Sequence, residues 1–196
     1  MFSVWDKWIN MAKTSTADYI CHIDEDFIFK NKEEFLNLIS YMKDNNIDVA
    51  GCADGYNEYR CANPMYMNSF FLVIKREVLN DFKGVRHYPF KKEFLNKFNH
   101  YKENVDKFSA NFENYQEPYY CFFTDLLDNN RKFHYLYQYF DNELKSTNPR
   151  FGKDSKDMGF HMWYSRDYLS DFELFGVKNS DRYKLLNEKF EYFVNV

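Results

Sequence analysis

The most constraining feature of the sequence is a short apolar segment that ends in three consecutive acidic residues. Residues 19–23 read Tyr-Ile-Cys-His-Ile, and Asp24, Glu25 and Asp26 follow directly. An apolar run of this length is typical of a buried strand, and open α/β sheets bind ligands at the carboxyl ends of their strands. Alternation along an extended chain predicts that Asp24 and Asp26 point to one side and Glu25 to the other. Two such carboxylates can share one hard cation, Mg²⁺ or Mn²⁺; a solvated acidic turn is the alternative.

Apolar spacing divides most of the chain into alternating helices and strands. Asn31, three residues before Glu34, is a typical N-cap for one of these helices. The predicted helices span residues 2–14, 31–43, 76–82, 90–98, 119–132 and 183–193, and the predicted strands span residues 19–23, 47–52, 67–74 and 134–139. This alternation predicts an α/β layer fold, and a chain of 196 residues without a linker predicts one domain over 1–196. The polar stretches 53–64 and 140–158 are expected to be loops, the second of them mobile.

Charge and composition exclude several classes of function. The formal net charge is -4, and no block of Lys and Arg is long enough to follow a phosphate backbone, so nucleic acid is not an expected partner. No apolar run approaches the ~20 residues of a membrane span. The N-terminus also lacks the pattern of a signal peptide, so we expect a cytoplasmic protein. The four cysteines form no CxxC pair, which argues against a zinc ribbon or a disulfide framework.

The order of several motifs resembles the metal-dependent nucleotide-sugar glycosyltransferases of the GT-A fold. In that superfamily a helix, a break of small residues, an apolar strand and Asp-x-Asp follow one another. Here they are Trp5–Met11, Thr14–Ala17, Tyr19–Ile23 and Asp24–Asp26. Three later stretches continue the resemblance to the acceptor-facing strand and helix, to the Glu-Asp helix and to the late histidine segment: Met67–Leu79, Thr124–Tyr135 and Gly159–Arg166. The resemblance covers about residues 1–170 and implies a GT-A-like, Rossmann-type mixed sheet flanked by helices.

The same resemblance implies roles for individual residues. Asp24 and Asp26 are expected to hold Mn²⁺ or Mg²⁺, with His161 as a third ligand. Asp125 is expected to be the catalytic base, although Thr124 stands where the family often has Glu. Substrate contacts are expected from four further residues: Arg166, Tyr164, Trp163 and Asn68.

Structural alternatives stand beside these roles. Asp125 is also consistent with a solvated helix residue, and Asp128, one helical turn later, is a competing base. His161 is also consistent with a hydrogen-bonded core histidine, and the aromatic residues Trp163 and Tyr164 with core packing. For His22, in the middle of the first strand, a structural role is favoured.

The expected function is transfer of a sugar from a nucleotide-sugar donor to a hydroxyl of a glycan or related acceptor. One alternative is a non-catalytic glycosyltransferase-like module for binding or assembly. Another is a phosphatase of the haloacid-dehalogenase type, whose Asp-x-Asp is normally followed by Thr two residues later; Phe27 and Ile28 follow here.

The position of the acidic motif leads to one more expectation. Family members carry a nucleotide-binding part before Asp-x-Asp, whereas only 23 residues precede Asp24 in this sequence. We therefore expect an N-terminally truncated domain, or the C-terminal two-thirds of one. A missing half would leave a sheet edge exposed, so we expect a homo-oligomer or a partner chain that completes the fold, or else weak binding of nucleotide by the isolated chain.

Overall fold

A computed structural model describes residues 4–54, 63–86, 91, 93–94, 117–143, 145–162, 173–174 and 176–194. The helices are α1 (Val4–Lys13), α2 (Lys32–Asp44), α3 (Tyr120–Asp128) and α4 (Asn179–Val194), and a 3-10 helix spans Arg76–Asp81. The strands are β1 (Tyr19–Ile23), β2 (Phe27–Phe29), β3 (Val49–Ala53), β4 (Met67–Lys75), β5 (Phe133–Tyr135), β6 (Tyr137–Asp141), β7 (Ser146–Arg150), β8 (Gly159–His161), β9 (Glu173–Leu174) and β10 (Val177–Lys178). The fold is mixed α/β.

Two four-stranded sheets organise the described residues. The central sheet has the order β1-β4-β3-β5, in which only the β3–β5 pair is parallel. The second sheet has the order β2-β8-β7-β6 and is antiparallel throughout. Strands β9 and β10 form a separate two-stranded ribbon. Only three residues, Asp24 to Asp26, separate β1 from the first strand of the second sheet, so the acidic motif lies between the two sheets.

The helices form because their apolar residues recur on one face. In α1 the buried stripe is Trp5, Ile9 and Ala12, the spacing of an amphipathic helix. At the start of α2, the Asn31 side chain accepts hydrogen bonds from the backbone N–H groups of Glu33 and Glu34. This N-cap satisfies two donors that the helix itself leaves unpaired.

The core lies on both faces of the central sheet. Leu72 and Ile74 of β4 pack with α1 and α3 on one face, while Phe71 and Val73 pack with α2 on the other. This alternation follows from the two-residue period of a strand. Because β4 is buried on both faces, its sequence is a nearly continuous apolar run rather than an alternating one.

Most of the elements predicted from the sequence are confirmed, with shifted ends. The prediction over 76–82 gives a 3-10 helix rather than an α-helix. The strand predicted over 134–139 is two strands, because the chain leaves the central sheet after β5 and enters the second sheet at β6. The helix predicted over 90–98 lies mostly outside the described residues.

One prediction is wrong. Residues 140–158 are not a mobile loop, because β7 runs through them and pairs with β6 over five residues. The side chain of Asp157 fastens this region, since it accepts hydrogen bonds from Arg150, Tyr139 and Asn148. Polar side chains of low strand propensity gave no apolar pattern here. The partners of Asp157 are also polar, so the sequence carries no signal that this region is ordered.

Candidate metal site

A tight turn brings the two aspartates of the acidic motif together. The backbone N–H of Asp24 donates to the carbonyl of Phe70 in β4 (3.1 Å), which ends the pairing of β1. The N–H of Phe27 then donates to the carbonyl of Asp24 (3.1 Å) and closes a turn with Glu25 and Asp26 at its centre. The expected convergence of Asp24 and Asp26 is present, but it arises from this turn and not from extended alternation. Glu25 is exposed.

The pairing of β2 with β8 adds a histidine to these carboxylates. His161 lies directly opposite Phe27, the residue after Asp26. Its Nε2 atom is 2.8 Å from Oδ1 of Asp26. Asp24, Asp26 and His161 each offer one ligand atom, and these three atoms lie within 4.8 Å of one another. The structure therefore brings together the three residues expected to bind metal, from two distant parts of the chain.

Phe70 orients two members of this cluster. Its ring stacks on the imidazole of His161, with centroids 4.4 Å apart and an angle of 6° between the planes. Its carbonyl is the acceptor for Asp24. Phe70 could not be identified from the sequence, because the chain contains 22 phenylalanines and nothing distinguishes this one.

Burial differs across the cluster. His161 is only 4% exposed, and the side chain of Asp26 is nearly as buried, whereas the Asp24 side chain is 31% exposed. Burial raises the pKa of Asp24, while the nearby His22 and His161 act in the opposite direction. Taking carboxylates out of water is costly unless a positive charge compensates. The open side of the cluster, at Asp24, is the side from which a ligand can approach.

The donor set fits a divalent cation. Carboxylate oxygens suit Mg²⁺ and Mn²⁺, and an imidazole nitrogen is a softer ligand that a transition-metal ion accepts more readily than Mg²⁺ does. Asp24, Asp26 and His161 would supply two oxygens and one nitrogen. Three protein ligands leave coordination positions for water or a substrate, as in catalytic metal sites. Because one of the three ligands is an imidazole nitrogen, we expect Mn²⁺ to be preferred over Mg²⁺.

His22 borders the site without joining the cluster. Its Nδ1–H donates to the carbonyl of Ser69 (2.7 Å), and this nitrogen is 3.9 Å from Oδ1 of Asp24. The rings of Trp5 and Trp8 contact the imidazole edge-on, with centroids 5.2 and 4.7 Å away. Burial lowers the pKa of His22. A neutral, packed histidine agrees with the structural role that the sequence favoured.

Asp125, the expected base, is fully buried in an ion pair. Both of its oxygens accept hydrogen bonds from the guanidinium of Arg86, and one also accepts from the backbone N–H of Lys83 (3.0 Å). The carboxylate is 0% exposed. Asp128, the competing candidate, pairs with Lys91. Neither residue belongs to the metal cluster, and the charge of Asp125 is already compensated.

Asn68, an expected substrate contact, is buried in a hydrogen-bonded network. Its Nδ2 donates to Asp54 (2.9 Å), and its Oδ1 accepts from the backbone N–H of Phe70 (3.1 Å). The hydroxyls of Tyr119 and Tyr120 donate to the other oxygen of Asp54. Asn68 therefore connects this network to Phe70, and through Phe70 to the metal cluster.

Three of the predicted substrate contacts, Trp163, Tyr164 and Arg166, lie outside the described residues. Comparisons with protein-family models, with curated proteins and with solved structures give no match to this chain. Within the described part of the chain, no helix has both the length and the apolar character needed to cross a membrane.

Proposed function

We propose that this chain is a metal-dependent glycosyltransferase that moves a sugar from a nucleotide-sugar donor to a hydroxyl of a glycan or related acceptor. One observation supports the proposal above all others: Asp24, Asp26 and His161 converge within 4.8 Å. These are the three residues to which the motif order of a GT-A enzyme assigns the metal. A chance Asp-x-Asp has no reason to meet that particular histidine.

The proposed chemistry depends on charge. A bound cation would stabilise the negative charge that develops on the departing nucleoside diphosphate. Asp26 and His161 form the buried side of the site, since their side chains are 9% and 5% exposed and the ring of Phe70 stacks on His161. Asp24 forms the open side, which we assign to the diphosphate. Arg166 remains the proposed partner of the phosphates, because a guanidinium matches phosphate oxygens bidentately.

The arrangement of sheets supports a GT-A-like fold as part of the same proposal. The central sheet is mixed and has helices on both faces, and the acidic turn lies at the carboxyl end of a strand. Ligands of open α/β sheets bind at such ends.

Proton abstraction by Asp125 requires a change from this conformation. The Arg86 guanidinium and the Lys83 amide occupy both carboxylate oxygens. Asp125 can accept a proton from an acceptor hydroxyl only after Arg86 has moved away. The carboxylate otherwise has a structural role, and the base is a different group.

The test is hydrolysis of nucleotide sugars, measured with UDP-, GDP- and CDP-linked donors in Mn²⁺ and then in EDTA. We expect turnover that EDTA abolishes and that the double variant Asp24→Asn, Asp26→Asn lacks. Glu25→Gln is the matched control, because Glu25 occupies the same turn but is exposed. Turnover that survives both EDTA and the double variant would disprove the role of the metal.

A binding or assembly module without catalysis is the second candidate, because the ion pair of Arg86 with Asp125 leaves the expected base unavailable. Calorimetry with a nucleoside diphosphate and Mn²⁺ separates the candidates further. Binding of the diphosphate without turnover of any donor favours the module, whereas turnover favours the enzyme.

A further inference from the structure

The outer edge of β1 presents backbone groups without partners in the described structure. In the antiparallel β1–β4 pair, hydrogen bonds join Asp18 to Arg76 and Asp24 to Phe70. Bonded pairs alternate along an antiparallel ladder, so the even-numbered residues of β1 face β4. The N–H and C=O groups of Tyr19, Cys21 and Ile23 therefore point away from β4, and no described residue bonds them.

An apolar flank of α1 lies beside this edge. Val4 and Met11 are 85% and 67% exposed, and Trp8, between them on the same side of the helix, is partly exposed. Trp5, on the buried stripe, contacts Tyr119 and Phe122 near the start of α3. Trp8 instead stacks on Trp5 and contacts His22 of β1. The flank of Val4, Trp8 and Met11 thus faces away from α3, toward the side of β1 on which the described residues form no strand.

We propose that this surface, the edge of β1 with the adjoining flank of α1, binds a second copy of this chain around a two-fold axis at Cys21. The three free residues are symmetric about Cys21, so an antiparallel copy places Tyr19 opposite Ile23 and Cys21 opposite Cys21. Each free N–H then meets a free C=O of opposite partial charge, and the two sheets join into one of eight strands. The exposed flanks of the two α1 helices meet over the new pair of strands and exclude water from each other.

The same geometry brings one unfavourable contact. The register that pairs Tyr19 with Ile23 also places Asp18 of one copy opposite Asp24 of the other. Like charges directly opposite each other destabilise a pair of strands. The dimer is therefore expected to be weak, and removal of the Asp18 charge is expected to strengthen it. This inference does not rest on the proposed catalytic function, although Asp24 belongs both to this interface and to the candidate metal site.

The experiment is sedimentation velocity of the full chain over a range of concentrations. We expect a concentration-dependent monomer–dimer equilibrium, which Cys21→Pro weakens about tenfold or more through loss of hydrogen bonds across the edge. Cys21→Ala is the control, since it keeps the N–H. Asp18→Asn should tighten the dimer about threefold. A wild-type chain that stays monomeric at every concentration would overturn the proposal, as would a dimer insensitive to Cys21→Pro.

Variants of α1 keep the proposal testable if the proline disturbs folding. Met11→Glu should also weaken the dimer, because it places a charge within the apolar surface that the two flanks bury. Asn10→Glu adds the same charge on a different side of the helix and should leave the dimer intact. Equal effects of the two substitutions would exclude the flank as part of the interface.

Discussion

Nε2 of His161 lies 2.8 Å from Oδ1 of Asp26, although the two residues are far apart in the sequence. The contact depends on the register of β2 with β8, which sets His161 opposite Phe27. A shift of one residue would turn the imidazole to the other face of the second sheet. The geometry of the metal cluster is therefore a property of strand pairing.

Binding of Mn²⁺ by Asp24, Asp26 and His161 should stabilise the folded chain, because the three ligands converge only when the chain is folded. At a free ligand concentration 100 times the dissociation constant, binding adds about 2.7 kcal/mol to the free energy of unfolding. For a chain of this size, that raises the melting temperature by roughly 5–10 °C. His161→Ala should remove most of that increase, and Glu25→Gln should retain it. Thermal unfolding with and without Mn²⁺ measures both variants. An unchanged increase in His161→Ala would exclude the imidazole as a ligand.

Gly159 should be essential for the register of β8. A Cβ atom at this position would lie 2.4 Å from the carbonyl oxygen of Ile28 and 2.5 Å from the ring of Phe27. Gly159→Ala must push β8 away from β2, at a cost of about 1–3 kcal/mol for overpacking. The displacement should also weaken Mn²⁺ binding, since His161 is two residues further on.

Urea unfolding and Mn²⁺ calorimetry test this variant together. Gly152→Ala is the control, because a Cβ atom there meets only the Ser155 side chain, at an ordinary 3.6 Å. If Gly159→Ala were as stable as the wild type and bound Mn²⁺ equally well, neither stability nor metal binding would depend on the close approach of β2 and β8.

Loss of Arg86 should destabilise the chain, because it leaves the buried carboxylate of Asp125 without its charged partner. Breaking a buried ion pair from one side costs about 3–5 kcal/mol, and the partial exposure of Arg86 places this case near the lower end. Arg86→Met should therefore lower the free energy of unfolding by about 3 kcal/mol, and Asp125→Asn by less, since Arg86 can turn to solvent.

The same variants decide the role of Asp125. A structural pair predicts that Asp125→Asn loses stability but that the surviving folded protein keeps any donor turnover. A catalytic base predicts the reverse, with turnover reduced by roughly 10²–10⁴-fold. Urea unfolding and turnover measured on one preparation distinguish the two results.

The parts of the fold that could be predicted from sequence are those with a local signal. The apolar stripe of α1, the N-cap at Asn31 and the apolar run of β4 each depend on residues close to one another in the chain. Three strands of the second sheet escaped prediction, because β2 and β8 have only three residues each and β7 is polar.

The candidate site divides in the same way. Asp24 and Asp26 were identifiable because they end an apolar strand, and His161 through the order of motifs. Arg86 and Phe70 were not, since their roles depend on contacts that only the folded chain makes: a salt bridge to Asp125 and a ring stacked on His161. Sequence spacing identifies groups with suitable chemistry, but it does not reveal which of them are already neutralised.

Acidification should destabilise the chain through His134. Its ring lies between Tyr41 and Phe151, at centroid distances of 4.8 and 5.6 Å, and burial lowers its pKa below the ordinary value. Below about pH 6.5 the unfolded chain therefore binds a proton that the folded chain does not, so the free energy of unfolding rises with pH through this window and levels off above it.

His134→Phe keeps the aromatic contacts and should flatten this pH dependence. The part of the slope due to His22, whose pKa is also lowered by burial, should remain. Urea unfolding between about pH 5 and pH 7.5 measures the slope. Tyr41→Phe is the control and should keep the full slope; a slope equally steep in His134→Phe would show that other groups cause it.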